Sequence, residues 1–198
     1  MTRNPDETRQ RLLMAAFEEM HRHGYNAASL NNILARAGMT KGAMYHYFKS
    51  KQELGYAVVD EVLRSRLEEG FFSRKGERLP FIDGLLLNMK RAMAERGETL
   101  ALLGCPLNNL AQEMSSVDEG FRLRVDRVFS WWRGELATGL RQAQALGEVR
   151  RDIDPEAVGL FLVAALEGCI GMAKNTQSIE TFAQCLSALT SYVNSLRA

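Results

Sequence analysis

The residues best suited to chemistry on a partner crowd into one segment, SLNNILARAGMTKGAMYHYF, from Ser29 to Phe48. Thr40 and Lys41 set a hydroxyl and a positive charge at the start of a helix, where exposed backbone N–H groups attract a phosphate. Gly42 and Ala43 are small enough for the backbone to come close to a duplex. Tyr45 and His46 offer hydrogen bonds and flat faces to phosphates or base edges, with Tyr47 beside them. Lys51 can clamp a further phosphate, and Ser29 can cap a first helix at the other end of the segment. This is chemistry for holding a polyanion rather than for breaking bonds.

Such side chains work only if rigid elements aim them. Leu30, Ile33 and Leu34 recur at helical spacing after Ser29, and Gly38 can take the positive φ of a tight turn. Thr40 then caps a second short helix, KGAMYHYF, whose inward anchors are Met44 and Phe48. Two short helices joined by a glycine turn of three to four residues describe a helix-turn-helix, whose second helix enters a DNA major groove while the first braces it.

The rest of the chain also reads as helix. The 198 residues hold only four prolines, Pro5, Pro80, Pro106 and Pro155, each able to occupy a first helical turn. Alternating strand patterns are missing, whereas apolar residues recur at helical spacing throughout. The pattern predicts an all-α fold of about nine helices. One starts near Lys51, followed by a loop over Gly70–Pro80. Others cover Phe81 to about Arg96, Pro106 to about Met114, Val117 to about Leu146, Pro155 to about Lys174, and Ile179 to about Leu196.

Composition narrows the function further. The net charge is +1, yet the first 51 residues hold 8 basic and 4 acidic groups while the remaining 147 hold 17 and 20. A basic head on an acidic body suggests a polyanion site at one end. Three cysteines, Cys105, Cys169 and Cys185, are too few and too scattered for a disulfide framework or a zinc cage. The start, MTRNPDETRQRL, lacks the pattern of a secretory signal. The most apolar stretch, Ala157 to Ala173, has 17 residues with Glu167 inside, which is short for a membrane span and fits a buried helix. A soluble, cytoplasmic chain is expected. No H-E-x-x-H, G-x-S-x-G, phosphate-binding or dinucleotide-binding fingerprint occurs, and no histidine follows His46, so neither an enzyme nor a cofactor nor a metal is expected.

The Ser29–Phe48 segment and its flanks resemble the DNA-binding domain of the TetR family of transcriptional regulators. The matching positions are Ile33, Ala37, Gly38, Met39, Thr40, Gly42, Met44, Tyr45, Tyr47, Phe48, Ser50, Lys51 and Leu54. Upstream, Arg9, Leu12, Ala16, Gly24 and Tyr25 resemble the family's first helix. Two departures stand out: Asn32 replaces the acidic residue that completes a capping box, and Leu34 replaces a usual alanine. The resemblance implies a DNA-binding domain over residues 1–53, with the motif at about 29–48, and an effector-binding and dimerisation domain over 54–198. It assigns DNA contact to Ser29, Thr40, Lys41, Gly42, Tyr45, His46, Tyr47 and Lys51. Its expected partners are a double-stranded operator, a small-molecule effector and a second copy of the chain, joined through the last two helices. An effector would shift the dimer to a conformer whose heads no longer match successive major grooves, so a repressor would be released.

The effector pocket is expected among the central helices. Candidate lining residues are Leu86, Met89, Met93, Cys105, Asn108, Gln112, Phe129, Trp132, Phe161 and Glu167, although plain core packing explains most of them equally well. Glu167 interrupts an apolar helix and needs a partner: an effector, an arginine at the dimer interface, or an internal pair. Cys105, in GCPL, sits at a helix start where the macrodipole favours a thiolate. With help from Lys174 it could sense electrophiles or oxidants; the plainer reading is a small residue that packs.

Overall fold

The computed structural model describes residues 5–71 and 79–198. Its element order is α1 (Pro5–His23), α2 (Leu30–Ala37), α3 (Lys41–Tyr45), α4 (Lys51–Ala57), a π-helical segment (Val58–Leu63), α5 (Arg64–Phe71), α6 (Phe81–Leu103), α7 (Pro106–Met114), α8 (Glu119–Ala145), α9 (Pro155–Thr176) and α10 (Ile179–Asn194). No strand occurs among the described residues, so the all-α expectation holds. Most of the expected Gly70–Pro80 loop lies outside the described residues.

The chain forms two compact units that are not cut at one point in the sequence. The first joins Met1–Arg66 to Pro106–Val128; the second joins Leu67–Cys105 to Phe129–Ala198. In the first, α1 buries Leu12, Leu13, Ala16, Phe17 and Met20 against α2, α4, α7 and the π-helical segment. The π segment widens the helix by one residue per turn, and it buries Val58, Val59, Val62 and Leu63.

In the second unit, α9 and α10 pack on each other and on α6. Asp154 caps α9 and Pro155 fills its first turn. The expectation that α6 stops near Arg96 is corrected, because the helix runs on to Leu103. Gly97 looks like a terminator in sequence but is buried: a Cβ there would meet the Met93 sulfur at 3.0 Å and Ile179 at 3.5 Å. The glycine serves close packing and not a stop. α9 is long and apolar enough to cross a membrane. In this fold it buries Val158, Leu162, Val163, Leu166, Glu167 and Ile170, as its core-helix reading expects.

Candidate nucleic-acid interface and effector-responsive core

The helix-turn-helix forms as its cap residues dictate. Ser29 Oγ accepts the Asn32 N–H at 3.3 Å, and Thr40 Oγ1 accepts the Ala43 N–H at 3.2 Å. Between them Gly38 closes α2 in the left-handed region, at φ 63°. Met44 is fully buried and Phe48 nearly so, and these two pin α3 to the head. Lys41, Gly42 and His46 stand exposed, and Tyr45 is 47% exposed. Among the described residues, no hydrogen bond or ion pair engages the side chains of Lys41, Tyr45, His46 or Tyr47. Lys51 differs. Its ammonium donates to the Asn26 carbonyl at 3.1 Å and lies 4.8 Å from the Tyr25 ring centroid, so it braces the head from within. Partial burial lowers its pKa, a shift that nearby Glu113 and Glu19 only partly offset.

Three carboxylates hold this head together, and sequence reasoning missed all of them. Glu19, on α1, is only 3% exposed. It accepts the Ser29 N–H at 3.2 Å and the Asn32 side-chain amide at 2.9 Å. In a capping box the Ser29 N–H would be bound by the third residue of the same helix. Here Asn32 occupies that place and a carboxylate from α1 accepts the bond instead. Burial alone would raise the Glu19 pKa; the hydrogen bonds from Asn32 and Ser29, with His23 and Arg36 nearby, lower it overall. Glu113, on α7, accepts the Tyr25 and Asn26 N–H groups at 2.7 and 2.8 Å. Gly24 makes room for it, since a Cβ there would lie 2.8 Å from Glu113 Oε2 and the backbone has φ 80°. Asp118 caps α8 by accepting the Phe121 N–H at 2.9 Å, and it binds Tyr56 Oη at 2.7 Å and Gln52 Nε2 at 2.6 Å. The Tyr56 bond is the largest reason its carboxyl lies below the usual range.

The expected effector residues fall into separate places. Leu86, Met89 and Met93 line an open groove of about 500 Å³ with Lys90, Ala94, Ala183, Leu186, Ser187 and Thr190. Met89 also meets buried Trp132 in a small internal cavity of about 20 Å³, lined by Leu85, Leu136, Leu162, Val163, Leu166 and Leu189. That is room for about one water, in walls that are almost wholly apolar. Phe129 is part-buried on α8. Phe161 is 49% exposed and stacks edge-on against Tyr192, with ring centroids 4.9 Å apart, so it lines neither cavity. Asn108 and Gln112 belong to the other unit, where Gln112 is exposed and donates to Asn108 Oδ1 at 3.5 Å.

Cys105 and Glu167 come together. Each residue is 7% exposed, and neither carboxylate oxygen has a hydrogen-bond partner. Burial raises the Glu167 pKa to about 7, with the nearby Cys105 thiol opposing the shift. Lys174, the cation expected to help the thiol, is exposed on α9. A second thiol pair went unanticipated: Cys169 on α9 touches Cys185 on α10, and burial, then Cys185, push the Cys169 thiol up to about 11.

A capped and anchored two-helix motif with an exposed polar face defines a helix-turn-helix DNA-binding protein. The family description for bacterial regulatory proteins, tetR family, matches residues 12–58, and that for the tetracyclin repressor-like C-terminal domain matches residues 85–189. The transcriptional regulator AcuR of Cereibacter sphaeroides is 33% identical over 172 residues, covering 83% of this chain and 75% of that one. The crystal structure of a regulatory protein TetR from Rhodobacter sphaeroides superposes with a TM-score of 0.79 at 28% identity, covering 92% and 96% of the two chains. The reduced form of Escherichia coli NemR shares the fold, with a TM-score of 0.81, 23% identity and 97% of each chain covered. Over 124 residues, 61% of each chain, the transcriptional repressor NemR is 26% identical. The chain belongs to the TetR family: it is a transcriptional regulator with an N-terminal DNA-binding domain and a C-terminal ligand-binding domain, and not an enzyme.

Proposed function

We propose that this regulator is a cytoplasmic homodimeric repressor that holds a pseudo-palindromic operator and releases it when a small-molecule effector engages the C-terminal domain. The observation that carries the reading is α3, anchored through Met44 and Phe48 while Lys41, Tyr45 and His46 face outward. The division at residues 1–53 and 54–198 gives the functional halves. Thr40, Lys41 and Gly42 contact phosphates, with Ser29 and Lys51 bracing, while Tyr45, His46 and Tyr47 read the groove. A two-fold dimer doubles these contacts over two half-sites. Supporting a dimer, α9 carries an open apolar face of Leu160, Phe161 and Met172, 49–55% exposed, with open space at Gly168 and Gly171. The name of NemR, a repressor, supports the sign of the response.

Cys105 is the point where we place a thiol-reactive effector. It ends the first stretch of one compact unit, and Pro106, which opens α7, begins the second stretch of the other. α7 carries Glu113, which holds the turn before α2. Covalent change at Cys105 therefore acts on the segment that braces the head.

Binding-site selection from random duplex DNA, followed by anisotropy titration at two salt concentrations, tests the first part. Enrichment of one palindrome, bound far above random DNA and weakened steeply by salt, is the expected result. Sequence-blind binding alone would refute it. For the second part, treatment with a thiol reagent should release operator DNA from the wild type and not from Cys105→Ser. Equal release from both removes Cys105 as the sensor.

A further inference from the structure

Helices α6 and α10 belong to one compact unit and run antiparallel, with a contact at each end that sets their register. At the start of α10, a Cβ on Gly97 would lie 3.5 Å from the Ile179 side chain. Just past the end of α10, the Arg197 guanidinium donates to Asp83 at 2.6 Å. Between these two closures lies the open groove of about 500 Å³, a volume typical of small-molecule sites. Counting inward from both closures sets Ala94 level with Ala183, Lys90 level with Ser187, and Leu86 level with Thr190, and all six line the groove. The alanine pair leaves room at one end. From Leu86 to Ala94 the wall covers about 12 Å of helix.

The chemistry of the walls is uneven. Met89 and Leu186 are buried beneath the groove. Met89 also lines the internal cavity beside Trp132, and an unbranched thioether can change rotamer to lengthen the groove inward. Lys90 is the one ionisable residue in the lining, and no carboxylate faces it there. It stands exposed, and among the described residues no hydrogen bond or ion pair engages its ammonium. Side chains of Ser191 and Asn194 bind the backbone carbonyls of Ser187 and Thr190, which leaves both hydroxyls for a ligand.

We propose that the groove between α6 and α10 binds an amphipathic monoanion, an alkyl or aryl carboxylate of medium length. Its apolar body lies on Met89, Met93 and Leu186, and its carboxylate meets Lys90 and Ser187. Burial of hydrocarbon supplies most of the affinity, and the single unpaired cation selects the sign of the charge. This rests on the reading of the C-terminal domain as the effector-binding half and is independent of Cys105. The α9 residues proposed for the dimer face, Leu160, Phe161 and Met172, do not line the groove.

The test is isothermal titration calorimetry of the full-length protein, without DNA, against sodium octanoate, 1-octanol and octyltrimethylammonium. Octanoate should bind once per chain, whereas octyltrimethylammonium at about 1 mM should give no heat of binding. Lys90→Met should weaken octanoate about fivefold and change octanol by less than about twofold. Ala183→Trp, which fills the groove from an exposed position, should abolish binding of both. Ala94→Trp does the same from the opposite wall and serves if the first variant fails to fold. Cys105→Ser should bind octanoate as the wild type does. Equal affinity for the anion and the cation, or octanoate binding undiminished by the tryptophans, would overturn the proposal. So would no octanoate binding at about 1 mM; if Ala183→Trp then also breaks a dimer in sedimentation velocity, a second copy of the chain covers the groove instead. Octanoate that binds as described but leaves operator affinity unchanged would keep the site and refute effector-driven release.

Discussion

Among the described residues, the two units of this regulator each bury one carboxylate, and they treat it in opposite ways. In the DNA-binding head, Glu19 meets two N–H donors and its pKa falls. In the effector-binding unit, Glu167 meets none and its pKa rises to about 7. Both are shielded from solvent, 3% and 7% exposed, but Glu19 lies near the surface and is hydrogen-bonded while Glu167 lies deep and is not, so partners and depth act together. A satisfied buried charge fixes one geometry, which suits a head that must present α3 in register with a groove. An unsatisfied one is a strained group held by its surroundings, and strain of that kind collects at sites that react or bind.

The comparison breaks first at Glu19. Glu19→Leu removes the acceptor of both the part-buried Ser29 N–H and the more exposed Asn32 amide, and this costs about 2–3 kcal/mol. Urea denaturation should show that loss, together with weakened operator binding as α2 frays. A loss under about 1 kcal/mol would mean that water replaces the carboxylate and that the head is less tightly specified than its contacts suggest.

Glu167 should respond with the opposite sign. Its folded pKa, about 7, lies above the ordinary 4.5 of an exposed glutamate. A raised pKa favours the folded state fully below the unfolded value, and that advantage is lost as pH rises from about 4.5 through 7. Glu167→Gln therefore should change stability little at pH 4.5 relative to wild type and be more stable by about 3 kcal/mol at pH 8. Glu19 runs the other way: its lowered pKa contributes stability that is lost as pH falls below the ordinary carboxylate range. Chemical denaturation at the two pH values checks both. An equal Glu167→Gln effect at pH 4.5 and pH 8 would show that the carboxylate finds a partner in solution.

These two carboxylates also mark how far the sequence can be read. The helix-turn-helix was legible because its signals are local: Ser29, Gly38 and Thr40 cap and turn within three or four residues, and Met44 and Phe48 fall on one face. Glu167 was visible too, since a carboxylate inside an apolar helix breaks a local pattern. Glu19 was not, because it sits in α1 among other charged residues and its partners lie 10 and 13 positions away. Glu113 is further removed, with partners 87 and 88 positions away. The end of α6, expected near Arg96, was misplaced for a related reason that lies in Gly97. Its purpose, contact with Ile179 of α10, belongs to packing and not to the local chain.

Between the two extremes stands Glu113, whose N–H partners in the head connect it to α7. Glu113→Ala should cost about 1–2 kcal/mol, because the Asn26 N–H it frees lies at an exposed position and water can reach it. The sharper readout is coupling. If α7 carries the signal, alkylated Glu113→Ala should lose less operator affinity than alkylated wild type, measured as the ratio of Kd values with and without N-ethylmaleimide. An unchanged ratio would send the signal through α8 or the π-helical segment instead.

The smallest effects separate two lysines that sequence alone treats alike. Lys41 is exposed at the start of α3 and no ion pair engages it among the described residues, whereas Lys51 is tied to the Asn26 carbonyl and the Tyr25 ring. Lys41→Ala should leave stability within about 0.5 kcal/mol and lower the salt dependence of DNA binding by about one phosphate contact. Lys51→Ala should cost about 1 kcal/mol of stability through the lost hydrogen bond and ring contact, and shift the salt slope less. Thermal denaturation paired with anisotropy across a salt series distinguishes them. If Lys51→Ala flattens the salt slope as much as Lys41→Ala, its ammonium leaves the Asn26 carbonyl for a phosphate when DNA binds, and the head is less rigid at that corner than around Glu19.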